Sequence, residues 1–343
     1  MPTTYAIPDG RPYFNANLYT GTGATQTITT TAQLGSGAMV WTKTRGNVVN
    51  WDTRSTGLTN NYSFLQSNTT NAEETTATQY AMTFSNGSYT VGAGDNINQS
   101  TRTFVGYTWA LGSAVSNTSG TITSSVQANT TAGVSVVTYT GNGTAGATVG
   151  HGLGAVPSMV IIKVRNAADN WPVYHVSLGN ANAMFLNTTA QSQALTYWNS
   201  TTPSSTVFTL GSNLIVNKSS DTFVAYCFAP VAGYSAFGSY TGNGSADGPF
   251  IYTGFRPRWL MTKRTDSSTS GDWNLVDTSR GTYNAVGPYL YANLSNAECN
   301  AAIYDILSNG FKIRETGAGT NASGSTYIYA AFAETAFKFS NAR

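Results

Sequence analysis

Ionisable side chains are scarce in this sequence. Its 343 residues carry 17 basic and 15 acidic groups, 9% of the chain, where an ordinary globular protein has about 25%. The formal net charge is +2 and Lys and Arg do not cluster, so there is no electrostatic footprint for nucleic acid. Histidine occurs twice, and cysteine twice, at Cys227 and Cys299. Neither pair has metal-ligand spacing, and two thiols make no disulfide framework. No apolar run approaches the roughly 20 residues needed to span a bilayer. Met1–Gly10 lacks the basic segment and apolar stretch of a secretory signal. These absences argue against nucleic-acid binding, membrane insertion, a metal and a cofactor.

In place of charge there are Gly, Ser, Thr, Asn and Tyr, with 41% apolar and 12% aromatic residues. That is enough hydrophobic surface to offset the entropy of ordering the chain. A surface of this composition is solvated by neutral hydroxyls and amides.

An internal repeat organises the sequence. The pattern Tyr-Thr-Gly-x-Gly starts at Tyr19, Tyr139 and Tyr240. Each copy is followed by a lysine-bearing apolar run, Met39 to Lys43, Met159 to Lys163 and Trp259 to Lys263, with tyrosine-to-lysine offsets of 24, 24 and 23 residues. A closing strand follows, starting at Thr103, Thr222 and Thr326, offset from the tyrosine by 84, 83 and 86 residues. Asn68 matches Asn293, with Asn187 the weaker second-copy equivalent. Asp52, His175 and Asp277 align after a stretch of variable length, which marks a surface loop.

The expected fold is all-β: three tandem β-sandwich domains, an internal repeat, with few or no helices. The divisions fall at 1–111, a divergent first repeat and possible docking domain; 112–133, a polar linker or an arm lying on a neighbouring surface; 134–234; and 235–343. Asn142-Gly143 and Asn243-Gly244 read as type I′ hairpin turns. The closing strand is apolar on both sides and belongs in the middle of a sandwich. Asn296 to Leu307 is the only helix-like stretch, of one or two turns.

Candidate chemistry is thin. His151, in His-Gly-Leu-Gly, reads as a turn residue, and His175 as a polar strand end, since its aligned partners are aspartates. Glu73-Glu74 is the only adjacent acidic pair and reads as a solvated loop, although glycoside cleavage also uses two carboxylates. Gly92 to Asn96 has one carboxylate, too few for calcium. Lys43, Lys163 and Lys263 are expected to pair with Asp52 or Asp277; the functional alternative is contact with an acidic partner. Trp198 and Tyr283 stand outside the strand cores and are the candidates for stacking on sugar, packing between copies being the other reading. No catalytic, cofactor or metal residues are assigned.

The residues Phe223 to Ala229, Gly233 to Gly244, Gly254 to Pro257, His151 to Pro157 and Trp171 to His175 resemble a repeat-domain family of tailed-bacteriophage virion proteins, mainly of marine bacteria and cyanobacteria, usually described as tail fibres. The likeness covers Val134 to Arg343 well and Asn15 to Leu111 loosely; the first copy lacks the His-Gly-Leu-Gly element. The resemblance implies a non-enzymatic structural protein of the virion, assembled in the host cytoplasm. The leading expectation is a tail-fibre or tail-associated protein that attaches to the host surface. The alternative is a capsid decoration or head-fibre protein. Expected partners are other virion proteins and host-surface carbohydrate, with either a homotrimer or a single-chain pseudo-trimer as the assembled form.

Overall fold

The computed structural model describes residues 7 and 9–333; most of Met1–Gly10, and residues 334–343 at the end of the third repeat, lie outside the described residues. Strand accounts for 45% and helix for 4%, with no helix of seven residues or more. The first repeat supplies β1 (Phe14–Thr20), β2 (Gln26–Gln33), β3 (Ala38–Thr44), β4 (Asp52–Ser55), β5 (Met82–Val91) and β6 (Thr103–Ala110). The segment after it forms β7 (Val115–Asn117) and β8 (Ser124–Asn129). The second repeat contributes β9 (Val134–Thr140), β10 (Ala147–Gly150), β11 (Met159–Val164), β12 (Pro172–His175), β13 (Asn182–Phe185), β14 (Gln193–Ala194), β15 (Val207–Leu210) and β16 (Thr222–Phe228). The third contributes β17 (Ser235–Thr241), β18 (Phe250–Tyr252), β19 (Pro257–Arg264), β20 (Trp273–Asp277), β21 (Val286–Tyr291), β22 (Cys299–Leu307), β23 (Gly310–Ile313) and β24 (Thr326–Ala333).

The same three-strand unit recurs in each repeat: β1-β6-β3, β9-β16-β11 and β17-β24-β19, antiparallel throughout, with the closing strand in the middle. The register recurs too, since Lys43 faces Val105, Lys163 faces Val224 and Lys263 faces Ile328. A second layer lies on each unit, β2-β5 in the first repeat and β10-β15 in the second. In the third, β18 and β23 extend the eight-stranded sheet whose opposite edge is β17, so that sheet curls towards a barrel. Strands β8 and β7 add to the edge of β9, so the polar segment 112–133 is part of a sheet.

The closing strands are apolar on both sides because they serve two cores, a consequence of the two-residue period of a strand. Phe223, Ala225, Cys227 and Ala229 point into the core of the second repeat alone, and Tyr327, Tyr329, Ala331 and Ala333 into that of the third. The alternate residues, Val105, Tyr107 and Trp109, Val224, Tyr226 and Phe228, and Ile328, Ala330 and Phe332, meet in a single core common to all three repeats. At its centre a void of about 20 Å³ is lined by three register-equivalent sets: Met39, Met159 and Trp259; Trp41, Ile161 and Met261; Trp109, Phe228 and Phe332. The all-β expectation therefore stands in its coarser form. The repeats are not beads on a string, because their inward faces bury one another.

The Tyr-Thr-Gly-x-Gly pattern has one physical explanation in all three copies. The tyrosine ring stacks on the closing strand, Tyr19 on Phe104 and Tyr139 on Phe223 at 5.1 Å and Tyr240 on Tyr327 at 4.9 Å. Its hydroxyl donates to a buried carbonyl, of Ile97, Val216 or Thr320. At the first glycine a Cβ would lie 2.2–2.4 Å from the carbonyl oxygen of Gln99, Lys218 or Ala322. The second glycine has φ of +74°, +74° and +68° at Gly23, Gly143 and Gly244, a conformation that L side chains rarely adopt. A buried asparagine, Asn98, Asn217 or Asn321, accepts from the residue between them at 2.9 Å.

Two local expectations are corrected. Asn142 and Asn243 do not have positive φ, which a type I′ turn requires at both central residues. The strands flanking each turn pair elsewhere, β9 with β16 and β10 with β15, so the chain crosses between layers and forms no hairpin there. Asn296 to Leu307 yields strand β22, because β21 and β23 pair with it on either side and satisfy its backbone groups laterally. The only α-helical pieces among the described residues are single turns, α1 (Asp95–Asn98) and α2 (Leu214–Asn217).

Candidate functional site

The residues that recur most faithfully build a girdle that joins the repeats. Trp273 pairs with Lys263, Trp51 and Trp171 immediately precede the equivalent strands β4 and β12, and all three are 0–1% exposed. The backbone N–H of each is held by an asparagine side chain of its own repeat: Asn68, Asn187 and Asn293, at 2.9, 3.0 and 2.9 Å. Each indole N–H then crosses to another repeat: Trp51 to the Tyr291 carbonyl, Trp273 to Phe185 and Trp171 to Thr69, all at 2.9 Å. First binds third, third binds second, second binds first, so the contacts close in a ring.

Ion pairs reinforce two of the three junctions. Arg45 grips Glu298 through two bonds of 3.0 and 2.9 Å, and Arg165 holds Glu73 at 2.5 Å. Burial alone would raise the Glu73 carboxyl, but Arg165 and the Thr59 N–H outweigh it and hold it below the usual range. The third junction is held by the Ser192 N–H, which donates to the Thr265 carbonyl, and by Lys263, whose Nζ donates to the Thr189 and Ala190 carbonyls. The lysines are corrected: none pairs with Asp52 or Asp277. Lys43 donates to the carbonyls of Thr44 and Asn47, Lys163 to Thr70 and Ala167, Lys263 to Thr189, Ala190 and Arg264. Burial pulls all three down to about 8. They are interior fasteners, and an acidic partner does not reach them. Asp52 pairs with Arg54 and Asp277 with Arg280, each at 2.5 Å.

The remaining sequence candidates fall into structural roles, one excepted. His151 is a turn residue, its Nδ1 accepting from the Leu153 N–H while Nε2 faces the Ser204 carbonyl. His175 is built alike, Nδ1 accepting from Ser177 and Nε2 facing the Tyr329 carbonyl of the third repeat. The register makes its first-repeat counterpart Ser55, not Asp52, since Met39 pairs with Ser55 as Met159 does with His175 and Trp259 with Asp277. Glu74 caps the backbone of Thr76 and Ala77. Asp95, in the Gly92 to Asn96 stretch, accepts from the Tyr80 hydroxyl, and no group of three His, Cys, Asp or Glu able to hold a metal occurs among the described residues. Cys227 is buried, which pushes its thiol up to about 12. Trp198 is 1% exposed, its ring against Tyr174 and its N–H on the Asn182 carbonyl; it is a packing residue and is withdrawn as a sugar platform. Tyr283 is 85% exposed.

A cleft of about 370 Å³ opens on the first repeat, between the β2–β3 connection, the end of β4, the Leu58–Ser63 loop and the start of β5. That volume is in the range of small-molecule sites, about 300–1,000 Å³. Its one charged lining residue is Arg54, whose Nε and Nη2 are tied to Asp52 at 2.5 and 2.8 Å, whose Nη1 donates to the Tyr80 carbonyl, and whose face covers Phe64 at 5.0 Å. The wall is thus neutral overall. Ser55 is 5% exposed and its hydroxyl has no hydrogen-bond partner. In the second and third repeats the connection between the same two strands buries Leu153 and Phe255 in the repeat's own core. In the first, Leu34 of the corresponding connection is likewise buried in the repeat's own core.

Among known proteins, a single family model matches residues 9–336, running through all three repeats as one unit. The chain belongs to the DUF7483 family, a domain of unknown function. No curated protein and no solved structure matches it. Among the described residues of this DUF7483 protein, no helix is long and apolar enough to cross a membrane.

Proposed function

We propose that this DUF7483 protein is a structural component of a tailed-phage virion, a tail-fibre or tail-associated protein that contacts the host surface without catalysing a reaction. The observation that carries the reading is the ring. Three repeats of one chain seal against one another through a buried tryptophan girdle, which yields a common base, while the outer strands and loops such as the Tyr283 turn differ between repeats. A scaffold that fixes its core and varies its loops is suited to recognition. The likeness to phage tail-fibre repeats supports the same assignment, and the near-absence of surface charge suits contact with neutral polar surfaces.

The ring also favours a second reading. Three repeats about one core make a compact unit in place of a rod, and a capsid decoration or head-fibre protein requires such a unit. Labelling purified particles with an antibody to the chain, together with an adsorption-interference assay, separates the two. Label on the tail and inhibition of adsorption by free protein are expected. Label on the head with no inhibition would transfer the assignment to decoration, and absence from particles would overturn both.

A further inference from the structure

We propose that the edge strands β17 and β18 of the third repeat form an open track that takes up one extended, uncharged strand with apolar side chains from a partner protein. The track stands on geometry alone; the function proposed above bears only on which particle component supplies the strand. The second repeat displays what fills such a track, because there the chain's own segment 112–133 occupies the equivalent one. Strand β8 pairs along the edge of β9, and Ile122 bridges in parallel to Val149 on β10. The backbone N–H groups of Thr121 and Thr148 each donate to the other's hydroxyl, at 2.9 and 2.8 Å. Gln127 accepts from Thr56 of the first repeat at 3.0 Å. The segment thus seals the gap between β9 and β10 against the neighbouring repeat. In the first repeat the gap closes directly, Asn15 of β1 donating to Thr31 of β2 at 2.9 Å.

Among the described residues the third repeat has neither closure. Strands β17 and β18 are the two free edges of their sheet, and neither contains a charged residue or a proline, the usual guards of an edge. Register locates the counterparts of the sealed positions. Ile251 opposite Phe311 matches Val149 opposite Phe208, since each phenylalanine meets its repeat's landmark tyrosine edge-on, at 6.2 Å from Tyr139 and 6.1 Å from Tyr240. Phe250 and Tyr252 therefore stand where Thr148 and Gly150 lie under the second-repeat segment, and they are 46% and 63% exposed. Val176 bonds the Ser158 carbonyl as Thr56 bonds that of Ala38, so it takes the position that holds Gln127, and it is 46% exposed. Gly238 likewise matches Val137, which pairs with Val126 of the segment. The Tyr329 hydroxyl lies 2.8 Å from where a Cβ on Gly238 would sit; the side chain is 8% exposed and the hydroxyl has no partner among the described residues. Exposed apolar side chains and an unpartnered hydroxyl thus mark one path.

The chemistry of the occupant follows from what has changed. Thr148, Gly150 and Thr56 are replaced by Phe250, Tyr252 and Val176, so the incoming strand carries apolar side chains where the second-repeat segment carries Thr121 and Gln127. Asn117 of β7 fills the place of a Cβ on Gly150; Tyr252 takes that place itself, so a single strand enters and not a hairpin. Lys312 and Asp247 beside Phe250 pair with each other, leaving no net charge for a charged strand to meet. Strand addition of this kind draws affinity from main-chain hydrogen bonds and specificity from alternate side chains.

The test uses the full chain and two fluorescent peptides, the native Ser119–Thr130 sequence and the same sequence with Thr121→Leu and Gln127→Leu, read by anisotropy, with sedimentation velocity for the mass. The apolar peptide is expected to bind about tenfold more tightly than the native one, and to lose about tenfold in Phe250→Lys/Tyr252→Lys and in Val176→Lys. These positions are exposed, and the variants should keep the circular dichroism of the wild type. No binding, equal binding of the two peptides, or binding indifferent to the lysine variants would overturn the track. A dimer dissolved by the same lysines would make a second copy the occupant, and binding seen only after removal of residues 334–343 would make it the chain's own end; either result overturns the proposal. Peptide binding by a protein absent from particles would keep the track and remove the virion assignment, and label on particles without peptide binding would do the reverse.

Discussion

Replacing Trp171 by phenylalanine keeps an aromatic ring in the girdle but removes the indole N–H that reaches the Thr69 carbonyl of the first repeat at 2.9 Å. Leaving a half-buried acceptor without its donor costs about 1–2 kcal/mol. Shrinking the ring opens space beside Tyr226, on which Trp171 stacks at 6.3 Å, and a partial large-to-small change of this kind adds about 1 kcal/mol or more. The sum is roughly 2–4 kcal/mol, which urea unfolding followed by circular dichroism resolves as a lower midpoint at constant slope. Trp51 and Trp273 occupy equivalent positions with the same donor distance, so Trp51→Phe and Trp273→Phe should lose similar amounts, within about 1 kcal/mol of Trp171→Phe. A loss confined to one of the three, with the other two indistinguishable from wild type, would refute the closed ring.

Burial brings the pKa of His175 down to about 4, although the Tyr329 carbonyl facing Nε2 favours the protonated ring; Nδ1 already accepts from the Ser177 N–H. Its stabilising contribution is complete above the unfolded value near 6.5 and is lost as pH falls from there towards 4, about 3 kcal/mol in all. Urea titrations across that range should therefore show falling stability in wild type and a flatter profile in His175→Gln; identical profiles would contradict the assignment. Glu73→Gln breaks a buried pair with Arg165 and should cost about 3 kcal/mol. A double-mutant cycle with Arg165→Met measures the coupling between them, and a coupling near zero would show that the junction does not depend on the pair. Asn217→Ala removes the acceptor of the Asn142 N–H and the donor to the Thr144 and Gly211 carbonyls, for a loss of about 2–4 kcal/mol. Amide exchange should rise first at Asn142, and unchanged protection there would refute the role.

What the sequence disclosed and what it hid both have physical causes. The three landmarks were legible because each meets a local geometric demand that admits few residues: a glycine against a carbonyl, a glycine at positive φ, a tyrosine over the closing strand. The double-sided apolar pattern of that strand showed that it serves two cores. It could not show that the second core belongs jointly to all three repeats, since alternation reports burial and not the identity of the partner. The tryptophan girdle had a signal, Trp51, Trp171 and Trp273 lying 8, 8 and 10 residues after the lysines. Variable loop length obscured it and led instead to the alignment of Asp52 with His175. The first-repeat cleft was hidden for another reason: Leu34, Arg54 and Phe84, which line it, are ordinary residues brought together by topology.

Scanning calorimetry of the intact chain addresses the shared core most directly. If the three repeats are one structure closed around Trp109, Phe228 and Phe332, unfolding gives a single endotherm whose calorimetric and van't Hoff enthalpies agree. Two or three resolved transitions, or a van't Hoff enthalpy near one third of the calorimetric value, would mean that the repeats fold independently and that the ring does not hold them together.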